Sequence, residues 1–341
     1  MSILIPGWNA EQYVENCVES LINNDYNNFE IILITGGSDK SYDISLNLRK
    51  KYPNKVKTLK QEIPQKNKAL NIGLKEIDYK SDIIILSDID CIYQTNWLRR
   101  INEIFQDQKY NIITGLYLPF PNQKNSLAEF NNINHGSNLL NFKHEDVVIG
   151  NKLCGANAAF RKEIFLKKIG KFDENVPTGD DKVLGITFNK KGEDLYFFSD
   201  IFVYTECHSN SLKKFIKRRI RWARDLFITL ERRHIFSLII SFNIALFKLF
   251  YPIAALIIWG LLFYPSWIHL LLLLSPWLIF YFLYLIKYYR NLKKLSRKVK
   301  AQLELHFNHK KAFKIVPILF FAFSIITIIS LIYPKRGKWF Y

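Results

Sequence analysis

The feature that most constrains this chain lies in its last third, where nearly uncharged apolar runs occupy residues 247–264, 267–286 and 315–333. Each is about 18 to 20 residues long, the length at which a helix crosses a bilayer core of about 30 Å. A buried bundle in a soluble protein gives no reason for three such runs beside a strongly basic stretch at 287–314. From Arg232 onward there are 16 Lys and Arg against one acid, Glu304, so most of the formal net charge of +18 sits there. Basic residues bracketing apolar runs follow the positive-inside rule, and the charge therefore points to a membrane surface rather than to nucleic acid. Residues 235–246 are shorter and mixed, and read as an interfacial helix. The 287–314 stretch reads as a cytoplasmic loop, and the uncharged turn at 265–266 as the outward one. The expectation is a multi-pass cell-membrane protein with a membrane region at 233–341 and residues 1–232 facing the cytoplasm. Lys335, Arg336 and Lys338 on the outward tail run against the rule.

The amino terminus has no basic segment followed by a long apolar one, so it does not read as a signal peptide. Cys17, Cys91, Cys154 and Cys207 are far apart and form no C-x-x-C pair. Neither a zinc site nor a disulfide framework is indicated, and a reducing compartment is the default.

Before the apolar runs, strand-like and helix-like segments alternate. Strands are expected at 2–5, 30–34, 56–59, 82–86 and 111–117, and helices at 11–23, 41–51, 65–76 and 97–105. The 82–86 run, Asp-Ile-Ile-Ile-Leu, suits the centre of a parallel sheet buried on both faces. This order implies a doubly wound α/β domain whose ligands bind beyond the carboxyl ends of its strands. Directly after the 82–86 strand comes Asp88-Ile89-Asp90. Two carboxylates on such a turn can aim at one point, and hard oxygen ligands suit Mg²⁺ or Mn²⁺ with positions left open for phosphate oxygens. His208 is open to two readings, a third metal ligand or a polar loop residue.

Several motifs, in order, carry a resemblance. Ile3-Leu4-Ile5-Pro6-Gly7-Trp8-Asn9-Ala10-Glu11 resembles the I-I-P-x-x-N-x-E opening of family-2 inverting glycosyltransferases of GT-A fold. Lys68-Ala69-Leu70-Asn71-Ile72-Gly73-Leu74 is similar to the family's K-x-x-A-L-N-x-G-L, shortened before the Ala. Asp88 and Asp90 stand where its D-x-D stands. Gly155 to Arg161 resembles G-x-N-x-A-F-R, and Ile169 to Glu174 its G-G-F-D-E turn. Gly179-Asp180-Asp181-Lys182 and Arg218-Arg219-Ile220-Arg221-Trp222 resemble the acidic motif and the Q-x-x-R-W motif of hyaluronan, chitin and cellulose synthases.

The resemblance implies a GT-A domain, Rossmann-like with a mostly parallel sheet, followed by an α-helical transmembrane region. It implies a sugar transferred from a nucleotide diphosphate to a polysaccharide or lipid-linked acceptor, with Mn²⁺ or Mg²⁺ held by Asp88 and Asp90. Asp181 matches the general base, with Asp180 its rival. Pro6, Gly7, Asn9, Thr35, Asp39, Lys68, Asp88, Arg218, Arg221 and Trp222 are the implied nucleotide-sugar residues, and Asn157 and Trp222 the implied acceptor residues. Two departures stand out. The resemblance implies a UDP-sugar, but where the family has D-D-x-S this chain has Thr35-Gly36-Gly37-Ser38-Asp39, which leaves the base open; Asp39 or Thr35 could take over the base contact. The Gln of Q-x-x-R-W is Arg218, which leaves chain polymerisation and single addition both open, as is a silent scaffold of the same fold. Three helices are few for a polysaccharide channel without an oligomer or a partner subunit.

Overall fold

The computed structural model describes residues 1–115, 117–119, 125–131, 133, 147–148, 153–176, 180–198, 200–205, 211–228, 232–303 and 308–332. The chain divides into two compact units, one of residues 1–120, 141–207 and 337–341, the other of 121–140 and 208–336.

The first unit alternates β1 (Ser2–Trp8), α1 (Glu11–Ile22), β2 (Glu30–Gly36), α2 (Ser41–Lys51), β3 (Val56–Lys60), α3 (Lys66–Leu74) and β4 (Ile83–Ser87). Next come β5 (Cys91–Tyr93), α4 (Trp97–Ile104), β6 (Ile112–Thr114), β7 (Tyr117–Pro119), β8 (Val147–Val148) and β9 (Asn157–Arg161). The unit continues with α5 (Lys162–Lys168), α6 (Asp180–Lys190), β10 (Tyr196–Phe197) and β11 (Val203–Thr205). The main sheet has the order β3-β2-β1-β4-β9-β6-β10-β8, and β5-β11-β7 form a small second sheet. From β3 to β4 all neighbours are parallel, and β9 enters antiparallel between β4 and β6.

Successive strand residues point to opposite faces, and here both faces are covered. Ile3, Ile5, Ile31 and Leu33 pack with Val14, Val18 and Leu21 of α1, Leu48 of α2 and Trp97 and Ile101 of α4. Leu4, Ile32, Ile34, Ile84 and Leu86 pack on the other side with Leu70 of α3, Phe165 of α5 and Phe188 of α6. Burial on both faces is why these strands are continuous apolar runs. Each fully buried Ile or Leu contributes roughly 1.5–3 kcal/mol.

One expected strand is two. Residues 111–117 divide at Gly115 into β6 in the main sheet and β7 in the small one. A Cβ at Gly115 would stand 1.8 Å from the Ile201 carbonyl oxygen, so only glycine lets the chain pass there.

The second unit contains α7 (Leu212–Ile228), α8 (Arg232–Ile258) running into a π-helical turn (Trp259–Phe263), α9 (Trp267–Leu303), α10 (His309–Phe313) and α11 (Val316–Ile332). Among the described residues two helices are long and apolar enough to cross a membrane, over Ile239–Phe263 and Trp267–Arg297, while Val316–Ser330 is a shorter apolar helix. Leu261, Leu262, Trp267, Ile268 and Leu272 are among the large apolar side chains they leave exposed.

Two local expectations differ from the structure. Residues 235–246 are no separate helix but the front of α8, and the stretch expected as a loop at 287–314 continues α9 as helix through Leu303. Lys, Arg, Leu and Ala are good helix formers, and no Gly or Pro interrupts 287–303.

Candidate active site

The site is built where β4 ends. The Cys91 N–H donates to the Asp88 carbonyl at 3.1 Å and closes a four-residue turn over 88–91. Ile89 is buried and pins that turn, while Asp88 and Asp90 remain half-buried at its sides. The preceding Ser87 accepts from the Tyr93 hydroxyl and donates to the Ala156 carbonyl, which ties the strand end to the segment before β9.

Lys66 is the first residue of α3, and its ammonium comes to this turn. Nζ donates to Asp88 Oδ1 at 2.5 Å and lies 3.9 Å from Asp180 Oδ2. The Lys66 side chain is 14% exposed, Asp180 19% and Asp88 38%. Burial by itself would lower the Lys66 ammonium, but Asp88, Asp180 and Asp181 outweigh it and hold the group well above its ordinary value. Lys66 is therefore charged throughout the physiological range.

Two asparagines of α3 fix this arrangement. Asn67 Nδ2 donates to the Asp173 carbonyl at 2.6 Å. Asn71 donates to the Phe172 carbonyl at 3.0 Å and accepts from the Phe172 N–H at 2.8 Å. Thus the A-L-N segment and the K-F-D-E turn, separate motifs in the sequence, are two halves of one latch. It joins the helix bearing Lys66 to the turn that leads to α6.

Asp180 and Asp181 open α6, where acidic groups suit the positive end of a helix. Asp181 Oδ1 accepts from the Lys182 N–H at 2.8 Å, and Oδ2 faces the Gly155 N–H at 3.4 Å. Burial and the charge of Asp180 push Asp181 up to about 6, against the lowering pull of Lys66 and these two donors. A carboxyl with that affinity for protons is suited to general-base work near neutral pH.

Among the described residues no group of three or more His, Cys, Asp or Glu could hold a metal ion by itself. The donor set that is present is oxygen from Asp88 and Asp90, and a positive group, the Lys66 ammonium, already lodges on it. That fits a hard cation bound through one or two carboxylates, with phosphate oxygens supplied by a substrate.

The loops after β1 and β2 lie beside the 88–91 turn, with Gly7 against Ile89. Asn9, with φ of 51°, donates its N–H to the Gly36 carbonyl and accepts the Ser38 N–H at 2.7 Å. Pro6 and Gly7 are buried in β1, with Pro6 in register with Ile34 and Gly7 with Thr35. A Cβ at Gly36 would stand 2.0 Å from the Gln61 carbonyl oxygen, so an acid cannot replace this glycine without moving β3.

Three residues expected at the base or the acceptor are engaged within the chain. Thr35 is fully buried and its hydroxyl donates to Ser45 Oγ at 2.9 Å, which leaves it no face for a base. Asp39 spends both oxygens within the chain, accepting from the Glu11 N–H and from the N–H and hydroxyl of Ser41. Those bonds, set against the raising effect of burial, hold it below the usual carboxylate range. Asn157 is 1% exposed; it accepts from Trp97 Nε1 and donates to the Ile201 carbonyl, and so ties β9 to its neighbours.

Lys68 is half-exposed on α3 and has no ion pair or hydrogen bond among the described residues. The lysine that reaches the acidic cluster is Lys66, which the sequence reading passed over. Counting K-x-x-A back from Ala69 lands on Lys66 without any shortening, and that spacing was the available signal.

In the other unit, Arg218 and Arg221 sit three residues apart and half-buried on α7. The Arg219 guanidinium lies over the ring of buried Phe215, 5.2 Å from its centroid. The Trp222 side chain, Gly179 and His208 lie outside the described residues. Cys17, Cys91 and Cys154 are buried free thiols, and burial pushes Cys17 and Cys154 up to about 12.

A mostly parallel α/β sheet with carboxylates clustered beyond a central strand agrees with the GT-A class of fold. A family model described as "Glycosyltransferase like family 2" matches residues 1–225. The chain belongs to that family. Among curated relatives, the minor teichoic acid biosynthesis protein GgaA of Bacillus subtilis is 28% identical over 187 residues, 53% of this chain and 41% of its own length. The chain thus spans about two fifths of that relative. A Methanococcus voltae dolichyl N-acetyl-glucosaminyl phosphate diacetamido-dideoxy-glucuronosyltransferase is 27% identical over 287 residues, 77% of this chain and 83% of its own length. A mannosyltransferase from Pyrobaculum calidifontis, solved with GDP-Man and Mn²⁺, shares the fold with a TM-score of 0.55 and 15% identity, covering 98% of this chain and 87% of that one.

Proposed function

We propose that this glycosyltransferase moves a sugar from a nucleotide diphosphate onto a lipid-linked acceptor, with inversion, at a membrane surface. The observation that carries the reading is the meeting of Asp88, Asp180 and Asp181 around the buried Lys66 ammonium.

In the transfer, the acceptor hydroxyl oxygen attacks the anomeric carbon while the bond from that carbon to the diphosphate breaks. The diphosphate leaves with the electron pair, and the hydroxyl proton goes to the Asp181 carboxylate. Attack from the face opposite the leaving group inverts the centre. Asp88 and Asp90 would hold a divalent cation, which when bound neutralises charge on the diphosphate. Lys66 adds a fixed positive charge beside the same oxygens, and the Lys182 and Gly155 N–H groups orient Asp181. Arg218, Arg221 and Trp222 are proposed contacts for the diphosphate and the acceptor, as the resemblance implies; Arg suits bidentate phosphate contact.

Support for the acceptor class comes from the archaeal relative, whose name places its reaction on a dolichyl phosphate-linked sugar and which aligns with more of this chain than residues 1–225 contain. GgaA acts in synthesis of a teichoic acid. The exposed apolar faces of Ile239–Phe263 and Trp267–Arg297 fit insertion in a bilayer, where a lipid-linked acceptor resides. The mannosyltransferase neighbour, bound to GDP-Man and Mn²⁺, supports a nucleotide-sugar donor and a divalent cation.

The test is a screen of nucleotide sugars against the full chain in detergent, with Mn²⁺ or Mg²⁺ and polyprenyl-phosphate-linked sugars, scored by release of nucleoside diphosphate. Acceptor-dependent release with one donor is expected, and the product carries a single added sugar. A ladder of long products would replace this reading with a polysaccharide synthase.

A further inference from the structure

The carboxylate best placed to hold a cation is the one Lys66 already occupies. We infer that Lys66 is a resident counter-charge on Asp88, handed over to the donor's diphosphate when cation and nucleotide arrive together, so that each promotes binding of the other. This rests on the proposed cation site at Asp88 and Asp90.

The distances impose the competition. At 2.5 Å from Asp88 Oδ1, the Lys66 ammonium makes a short charge-assisted hydrogen bond to an oxygen a cation would need. A cation that takes Oδ1 must break that bond, and one that takes Oδ2 must sit beside a positive charge; either way the ammonium is disfavoured in a site where Lys66 is only 14% exposed. Its remaining near acid, Asp180 at 3.9 Å, is beyond hydrogen-bonding distance. Leaving a charged donor half-buried without a bonded partner is costly. A diphosphate removes that cost, because its oxygens accept from the ammonium while others of its oxygens complete the cation's shell.

The fold lets the handover happen by side-chain motion alone. Lys66 opens α3, and Asn67 and Asn71 latch the helix to the 172–174 turn. The backbone can therefore stay in place while four methylenes reorient. Linkage then makes the coupling reciprocal: if nucleotide favours cation binding, cation favours nucleotide binding equally.

Mn²⁺ binding to the full chain in detergent, followed by the electron paramagnetic resonance signal of free Mn²⁺, tests this without turnover. Titrations are run on wild type, Lys66→Gln and Lys66→Arg, with Mn²⁺ alone and with each common nucleoside diphosphate, corrected for Mn²⁺ bound by free nucleotide. Without nucleotide, Lys66→Gln is expected to bind Mn²⁺ on the order of tenfold more tightly than wild type, since a competing positive charge is gone. Lys66→Arg keeps the charge and stays near wild type. One nucleoside diphosphate tightens Mn²⁺ binding to wild type, and the gain shrinks in Lys66→Gln. Equal or weaker Mn²⁺ binding by Lys66→Gln overturns the inference, and so does Mn²⁺ binding to wild type that no nucleotide alters. The second result is read on wild type alone and stands even if Lys66→Gln fails to fold. If the tight binding of Lys66→Gln survives a further Asp88→Asn change, the cation sits elsewhere and the inference falls. Absence of Mn²⁺ binding in every titration removes the cation site itself, an outcome distinct from loss of the coupling.

Discussion

At the scale of single residues, the site is a problem of like charges held together. Asp180 and Asp181 adjoin one another, and among the described residues Lys66 and a few N–H groups offset them. Replacing Asp181 by Asn should reduce kcat by about 10²–10⁴-fold, the usual worth of a positioned base. The same change should raise the melting temperature at pH 7–8, because it removes a buried charge. The sign follows from linkage. Asp181 is raised from 3.8 to about 6, so between those values the folded chain holds a proton the unfolded chain has lost, and stability falls as pH rises through that window. Activity runs the other way. The base must be ionised, so kcat/KM should decline as pH drops below about 6, a limb that a pH–rate profile would locate. If Asp181→Asn kept that profile and full turnover, Asp180 would take the role.

At the scale of elements, the joints matter more than the strands. The latch between α3 and the 172–174 turn aligns Lys66 with α6 through a pair of bonds to Asn71. Changing Asn71 to Ala should cost about 1–3 kcal/mol of stability, since it strands buried backbone groups. It should also lower turnover although Asn71 touches no substrate; denaturant melts and kcat measured together would show both. Gly115 is the second joint. Gly115→Ala would drive a methyl into the Ile201 carbonyl, and expression with a cooperative melt unchanged from wild type would contradict the close approach seen there.

For the whole molecule, the question is what covers α8 and α9. Both carry large exposed apolar side chains along segments long enough to span a bilayer, and water is a poor solvent for such a surface. The full chain should therefore stay in the membrane pellet after an alkaline carbonate wash and leave it only with detergent. Recovery as a soluble monomer without detergent would remove the membrane from the proposed function.

Much of this was legible before any coordinates. Apolar runs at 30–34 and 82–86 announce strands buried on both faces, because only such strands dispense with alternation. The D-x-D after the second of them marks where a ligand site belongs, since residues beyond a strand's end are held rigidly yet remain open. Contacts between residues distant in sequence were not legible. That Lys66 rather than Lys68 reaches Asp88, that Thr35 and Asn157 turn inward, and that Gly115 splits a strand depend on which atoms arrive beside them from 10 to 86 residues away. Local pattern records how a residue relates to its own helix or strand. Only the packed chain decides what stands across from it, and at this site that opposition sets the charge, the burial and hence the chemistry.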